Sequence, residues 1–85
     1  MSIDNVRRQA IVTKYYGPTA SRGSRIKAKS YGGSVSVAYD YGLNVEQNHD
    51  AACATLLDKM EWGGHYIGGG SPDGTGFVYV FAGEE

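Results

Sequence analysis

The chain has one cysteine, Cys53, in 85 residues, so no internal disulfide can form. Long apolar runs are missing too. The longest, such as residues 77 to 82, fall far short of the roughly 20 residues that a bilayer-crossing helix needs. The first eight residues hold Arg7 and Arg8 but no apolar stretch and no small-residue cleavage site behind it, the features of a secretory leader. These absences exclude a disulfide-stapled scaffold and a helical membrane protein; they predict a cytoplasmic protein without a membrane partner.

Patterns that carry chemistry are equally scarce. His49, His65, Cys53 and Asp40 show no CxxC or HExxH spacing, so no metal is expected. The glycine-rich run from Gly68 to Gly76 lacks the Gly-Lys-Ser/Thr ending of a phosphate loop and leads into a strand, so no cofactor is expected there. Cys53 and His49 offer a thiol and a base four residues apart, yet both fall on the apolar stripe of a predicted helix, where a thiol packs as a small hydrophobe. No catalytic residue is assigned, and the chain reads as a binding protein and not an enzyme.

Cations almost vanish after residue 30, where Lys59 alone faces eight carboxylates for a net charge of -7. Residues 1 to 30 are the opposite: Arg7, Arg8, Lys14, Arg22, Arg25, Lys27 and Lys29 stand against Asp4 alone, a net +6. Such a division either builds opposed basic and acidic faces or is neutralised across the fold.

Residues 10 to 16 read as a strand, rich in β-branched and tyrosine residues and stopped by Gly17-Pro18. Residues 25 to 31 alternate Arg25, Lys27 and Lys29 with Ile26, Ala28 and Ser30, a half-buried strand with a positive outer side. Gly32-Gly33 signals a primed hairpin turn, and Val35, Val37, Tyr39 and Tyr41 then alternate toward a core. From Val45 to Trp62 the period becomes helical, with Asn44 and Gln47 in a capping-box pattern and Gly63-Gly64 at the end. Val45, His49, Ala52, Cys53, Leu56 and Met60 form its apolar stripe, beside an acidic arc of Glu46, Asp50, Asp58 and Glu61. His49 is expected to find a partner in Asp40 or Tyr41. Residues 65 to 67 and 77 to 81 flank a long flexible hairpin tip. The fold class is therefore α+β, an antiparallel β-β-β-α-β-β sheet with one helix on one face. Residues 1 to 9 are expected to be a flexible segment and residues 10 to 85 a single domain. Its thin core places stability near the low end of the roughly 5 to 15 kcal/mol range, and a homodimer is one route to more buried surface.

The basic segment is the candidate site. Lys14, Tyr16, Arg22, Arg25, Lys27 and Lys29 combine charge for phosphates or carboxylates with a ring on which bases or arginines can stack. In Ser21-Arg22-Gly23-Ser24-Arg25, small residues admit a close backbone approach while two guanidinium forks present planar donors. The other reading of this loop is an arginine turned inward onto Asp40.

Five stretches carry a resemblance: residues 16 to 28, Tyr39-Asp40-Tyr41, Asn48-His49-Asp50-Ala51-Ala52, Lys59-Met60-Glu61-Trp62 and Phe77-Val78-Tyr79-Val80-Phe81. In these, nearly the whole chain resembles a small family of mostly uncharacterised accessory proteins borne by bacteriophages, prophages and plasmids. The resemblance implies a protein that acts in the host cytoplasm by obstructing or redirecting a host machine, the anti-CRISPR and other anti-defence classes included. The expected function is binding to a host protein or nucleoprotein complex as an inhibitor of host defence. The alternative is a small nucleic-acid-binding module that uses residues 14 to 29.

Overall fold

Period-two alternation in the first two strands divides their side chains between two environments, and that division organises the molecule. In the computed structural model, which describes residues 9 to 83, β1 (Ile11–Tyr16), β2 (Arg25–Ser30) and β3 (Gly33–Ala38) precede helix α1 (Val45–Met60), followed by β4 (His65–Gly70) and β5 (Gly76–Gly83). All pairings are antiparallel, in one sheet of order β3-β2-β1-β5-β4. The α+β architecture and the β-β-β-α-β-β order are those expected from the sequence. The expected flexible segment, residues 1 to 9, lies outside the described residues except for Gln9, whose Oε1 accepts from the Gly32 amide at 2.9 Å. No helix among the described residues is long and apolar enough to cross a membrane.

Helix α1 packs on one sheet face across β1, β2 and β3 and reaches β5. Ile11, Ile26, Ala28, Ala52 and Leu56 are fully buried between them, with Cys53 and Tyr79 closing the core. The helix starts as its sequence requires: Asn44 Oδ1 accepts from the Gln47 amide at 2.8 Å while Gln47 Oε1 accepts from the Asn44 amide at 2.9 Å.

Several expectations are corrected. The helix ends at Met60 and not at Trp62, because Glu61 takes the left-handed conformation (φ 57°) and the amides of Glu61 and Trp62 turn back to the carbonyls of Asp58 and Leu57. The first hairpin turns at Tyr31-Gly32, with Ser30 paired to Gly33, and neither turn residue has a positive φ. A primed turn is thus absent there; Gln9 satisfies the turn amide from outside the hairpin. Strand β4 continues through Gly68, Gly69 and Gly70, since the ladder to β5 uses only backbone groups. The long tip shrinks to residues 71 to 75, tied by the Asp73 carboxylate, which accepts from Ser71 Oγ at 2.6 Å, Thr75 Oγ1 at 2.8 Å and the Thr75 amide at 3.0 Å. Val45 and Tyr41, both expected inside, are 56% and 79% exposed, because the helix axis is set by the deeper His49, Ala52, Cys53 and Leu56 and β3 stops at Ala38.

Candidate functional site

The strand alternation that buries Ile26, Ala28 and Ser30 sends Arg25, Lys27 and Lys29 to the face away from the helix, and Lys14 and Tyr16 leave β1 on that same side. Register then aligns them: Lys14 lies opposite Lys27, and Tyr16 opposite Arg25. Five of the six predicted site residues thus share one open sheet face. Lys14 Nζ lies 5.6 Å and Arg25 Cζ 5.3 Å from the centre of the Tyr16 ring, so one phenol carries two cations on its π-electrons. No carboxylate stands at a strand position of this face among the described residues. Directly opposed like charges destabilise a strand pair, so Lys14 and Lys27 concentrate unfavourable positive charge on this face. Asp73 in the β4–β5 tip is the carboxylate that feels Lys14. Its hydrogen bonds from Ser71 and Thr75, with the lysine charge adding to them, hold its pKa down at about 2.

Arg22, the sixth residue, sits off this face in the loop of residues 17 to 24. Its carbonyl accepts from the Thr19 amide at 2.7 Å, and its own amide donates to Thr19 Oγ1 at 3.1 Å. That turn brings Arg22 beside Arg25 in a basin of about 310 Å³ lined also by Ser21, Ser24 and Ser36. Arg25 Nη1 is buried without a hydrogen-bond partner among the described residues. An orphaned guanidinium nitrogen is costly. Neither arginine turns inward to Asp40, whose Oδ1 accepts from the Gly42 amide at 2.8 Å.

His49 departs from its expected partners as well. Its Nδ1 lies 2.7 Å from Thr13 Oγ1 on β1, while Asp40 is held by Asn48, whose Oδ1 accepts from the Asp40 amide at 2.7 Å and whose Nδ2 donates to the Asp40 carbonyl at 2.9 Å. Burial lowers the His49 pKa against the opposing pull of Asp50. Cys53 is 3% exposed, and burial, with the Asp50 charge behind it, pushes its thiol up to about 11, so it is a packed thiol at neutral pH. Asp50, on the exposed acidic arc, accepts from the Tyr79 hydroxyl at 2.6 Å. The Tyr79 pKa is raised, by burial first and by that carboxylate second.

Sequence reasoning passed over Thr13, Asn48 and the orphaned nitrogen of Arg25. Thr13 alone carried a signal, a hydroxyl at an inward position between Ile11 and Tyr15. The chain matches no protein-family model, no curated protein and no solved structure.

Proposed function

We propose that this chain is a non-enzymatic accessory protein of a mobile genetic element that seats its open basic sheet face on the nucleic acid of a host nucleoprotein complex and obstructs it, as an inhibitor of host defence of the anti-CRISPR kind. The mobile-element context rests on the resemblance of the motifs. The surface chemistry rests on one observation: Lys14, Arg25, Lys27 and Lys29 share a face with no carboxylate at a strand position among the described residues, and Lys14 and Lys27 are directly opposed. A polyanion relieves that repulsion, and the Arg22–Arg25 basin offers a fixed seat for one phosphate. A second reading, a free-standing nucleic-acid-binding module, draws on Tyr16, a ring with cations at 5.6 Å and 5.3 Å, at the end of the same face where β1 finishes.

Affinity purification from host lysate, with and without nuclease, followed by mass spectrometry, tests the reading. Capture of a nucleoprotein complex that nuclease releases supports it. Capture of bare nucleic acid alone points to the second reading. A partner retained after nuclease, with affinity insensitive to salt, would exclude both, because neutralised phosphates impose a steep loss with rising salt. The double substitution Arg22→Ala with Arg25→Ala is expected to weaken the captured interaction at least tenfold, about 1.4 kcal/mol, with an unchanged circular dichroism spectrum.

A further inference from the structure

On the helix side of the sheet, at the end where β1 finishes, a second cavity of about 720 Å³ opens between Tyr15, Tyr39, Tyr41, His49 and Phe77 on one side and the β4–β5 tip on the other. Its aromatic wall is held in place. Tyr15 and Tyr39 meet edge to face at 5.5 Å, and two tilted pairs follow, Tyr39 with Tyr41 at 5.0 Å and His49 with Phe77 at 4.9 Å. The Tyr15 and Tyr41 hydroxyls both donate to Ser24 Oγ at 3.0 Å, which fixes two phenols whose rings are 42% and 79% exposed. Three tyrosines clustered at the surface, with no covering element among the described residues, are what ligand sites use, where rigid rings supply contact area at low entropic cost.

The floor is polar. Thr13 Oγ1 lies 2.7 Å from His49 Nδ1 and 3.4 Å from the Phe77 carbonyl, and it accepts from the Phe77 amide at 3.3 Å. Thr13 thus occupies Nδ1, and Nε2 is the nitrogen that His49, which lines the cavity, keeps for a ligand. The opposite wall includes the bare backbone of Gly70 and Gly74, where an added Cβ would meet nothing within 4 Å. No carboxylate lines the cavity, which argues against a cationic head group. Ser24, which anchors the two phenols, also lines the Arg22–Arg25 basin and so links the two depressions.

We infer that this tyrosine-walled cavity accepts one unstacked nucleobase, a flat ring with polar atoms at its edge, from the nucleic acid whose phosphates the basic residues hold. The inference rests on the proposed function for its source of bases but not for its chemistry. Neutral adenosine is therefore the probe, since it carries no phosphate and binds or fails irrespective of the basic face. Titrated at millimolar concentrations, it is expected to shift the ring resonances of Tyr15, Tyr39, Tyr41 and His49. Tyr41→Ala and Gly70→Val, the first removing an exposed ring and the second filling the open wall, are each expected to weaken adenosine at least fivefold at unchanged circular dichroism, the scale of one lost stacking contact. Absence of shifts, affinity unchanged in both variants, or tighter binding of p-cresol than of adenosine would overturn the inference, the last by marking a protein side chain as the occupant. A single-stranded oligonucleotide and an abasic strand of equal length separate the two proposals. Equal affinity for both leaves the basic face standing and removes the base site. Failure of both strands with adenosine still bound removes the face and leaves the cavity as a base site.

Discussion

The two faces of the sheet are built from the same strands and differ in almost everything else. On the helix side Ile11, Thr13, Ile26 and Ala28 are at most 1% exposed; on the other, Val12 is 45% exposed and its neighbours are Lys14, Lys27 and Lys29. Residues one position apart thus serve stability and recognition separately. The open face is itself divided. Its β1–β2 part is cationic, whereas Val78, Val80 and Ile67 make the part over β5 and β4 apolar, with Val12 of β1 at the border. The edges differ in a parallel way. Lys59 Nζ donates to the Ser34 carbonyl at 3.0 Å and guards β3, whereas β4, outermost on the other side, ends in three glycines. Protection has been placed where the helix can deliver it, and α1 lies over β1 to β3.

Substitutions that strike the covered face have the largest effect. Leu56→Ala, at a fully buried position, is expected to lower stability by about 3 kcal/mol in urea titration, while Val80→Ala, at 40% exposure on the open face, is expected to cost under about 1 kcal/mol. Similar losses at both would mean that something covers the second face. Next comes Thr13→Val, which keeps the shape but leaves His49 Nδ1 without its partner; a loss of about 1 to 3 kcal/mol is expected, measured the same way.

Acid sharpens the contrast from the same side. A histidine held below its ordinary value of 6.5 in the folded chain takes up a proton more readily when unfolded. The associated stability is complete above that value and declines as pH falls through it. The urea midpoint is expected to drop between about pH 7.5 and pH 5, and His49→Gln is expected to flatten the slope in this window. The smallest effect belongs to the open face: Lys14→Ala with Lys27→Ala is expected to leave the urea midpoint unchanged or raise stability by a few tenths of a kcal/mol, because it removes a cross-strand repulsion, while weakening binding to single-stranded nucleic acid. A clear loss of stability would show that the two lysines are paired with anions in the free protein.

Local pattern was enough for the element order, the antiparallel sheet, the basic outer side of β2 and the Asn44–Gln47 capping box, because each depends on residues within one turn or one strand. Pattern misplaced the ends of elements where a contact from elsewhere intervened: Gln9 on the Tyr31–Gly32 turn, and the backbone ladder of β5 that drew Gly68 to Gly70 into a strand. Of the candidate site, strand alternation is enough to put Arg25, Lys27 and Lys29 on one face. That Lys14 opposes Lys27, that Arg22 joins Arg25 at one basin, and that Tyr15, Tyr39 and Tyr41 meet His49 around a cavity emerge only when the chain is folded. Those juxtapositions depend on strand register and on where one helix lands, and both are settled by packing between residues far apart in the chain, about which local spacing carries no information.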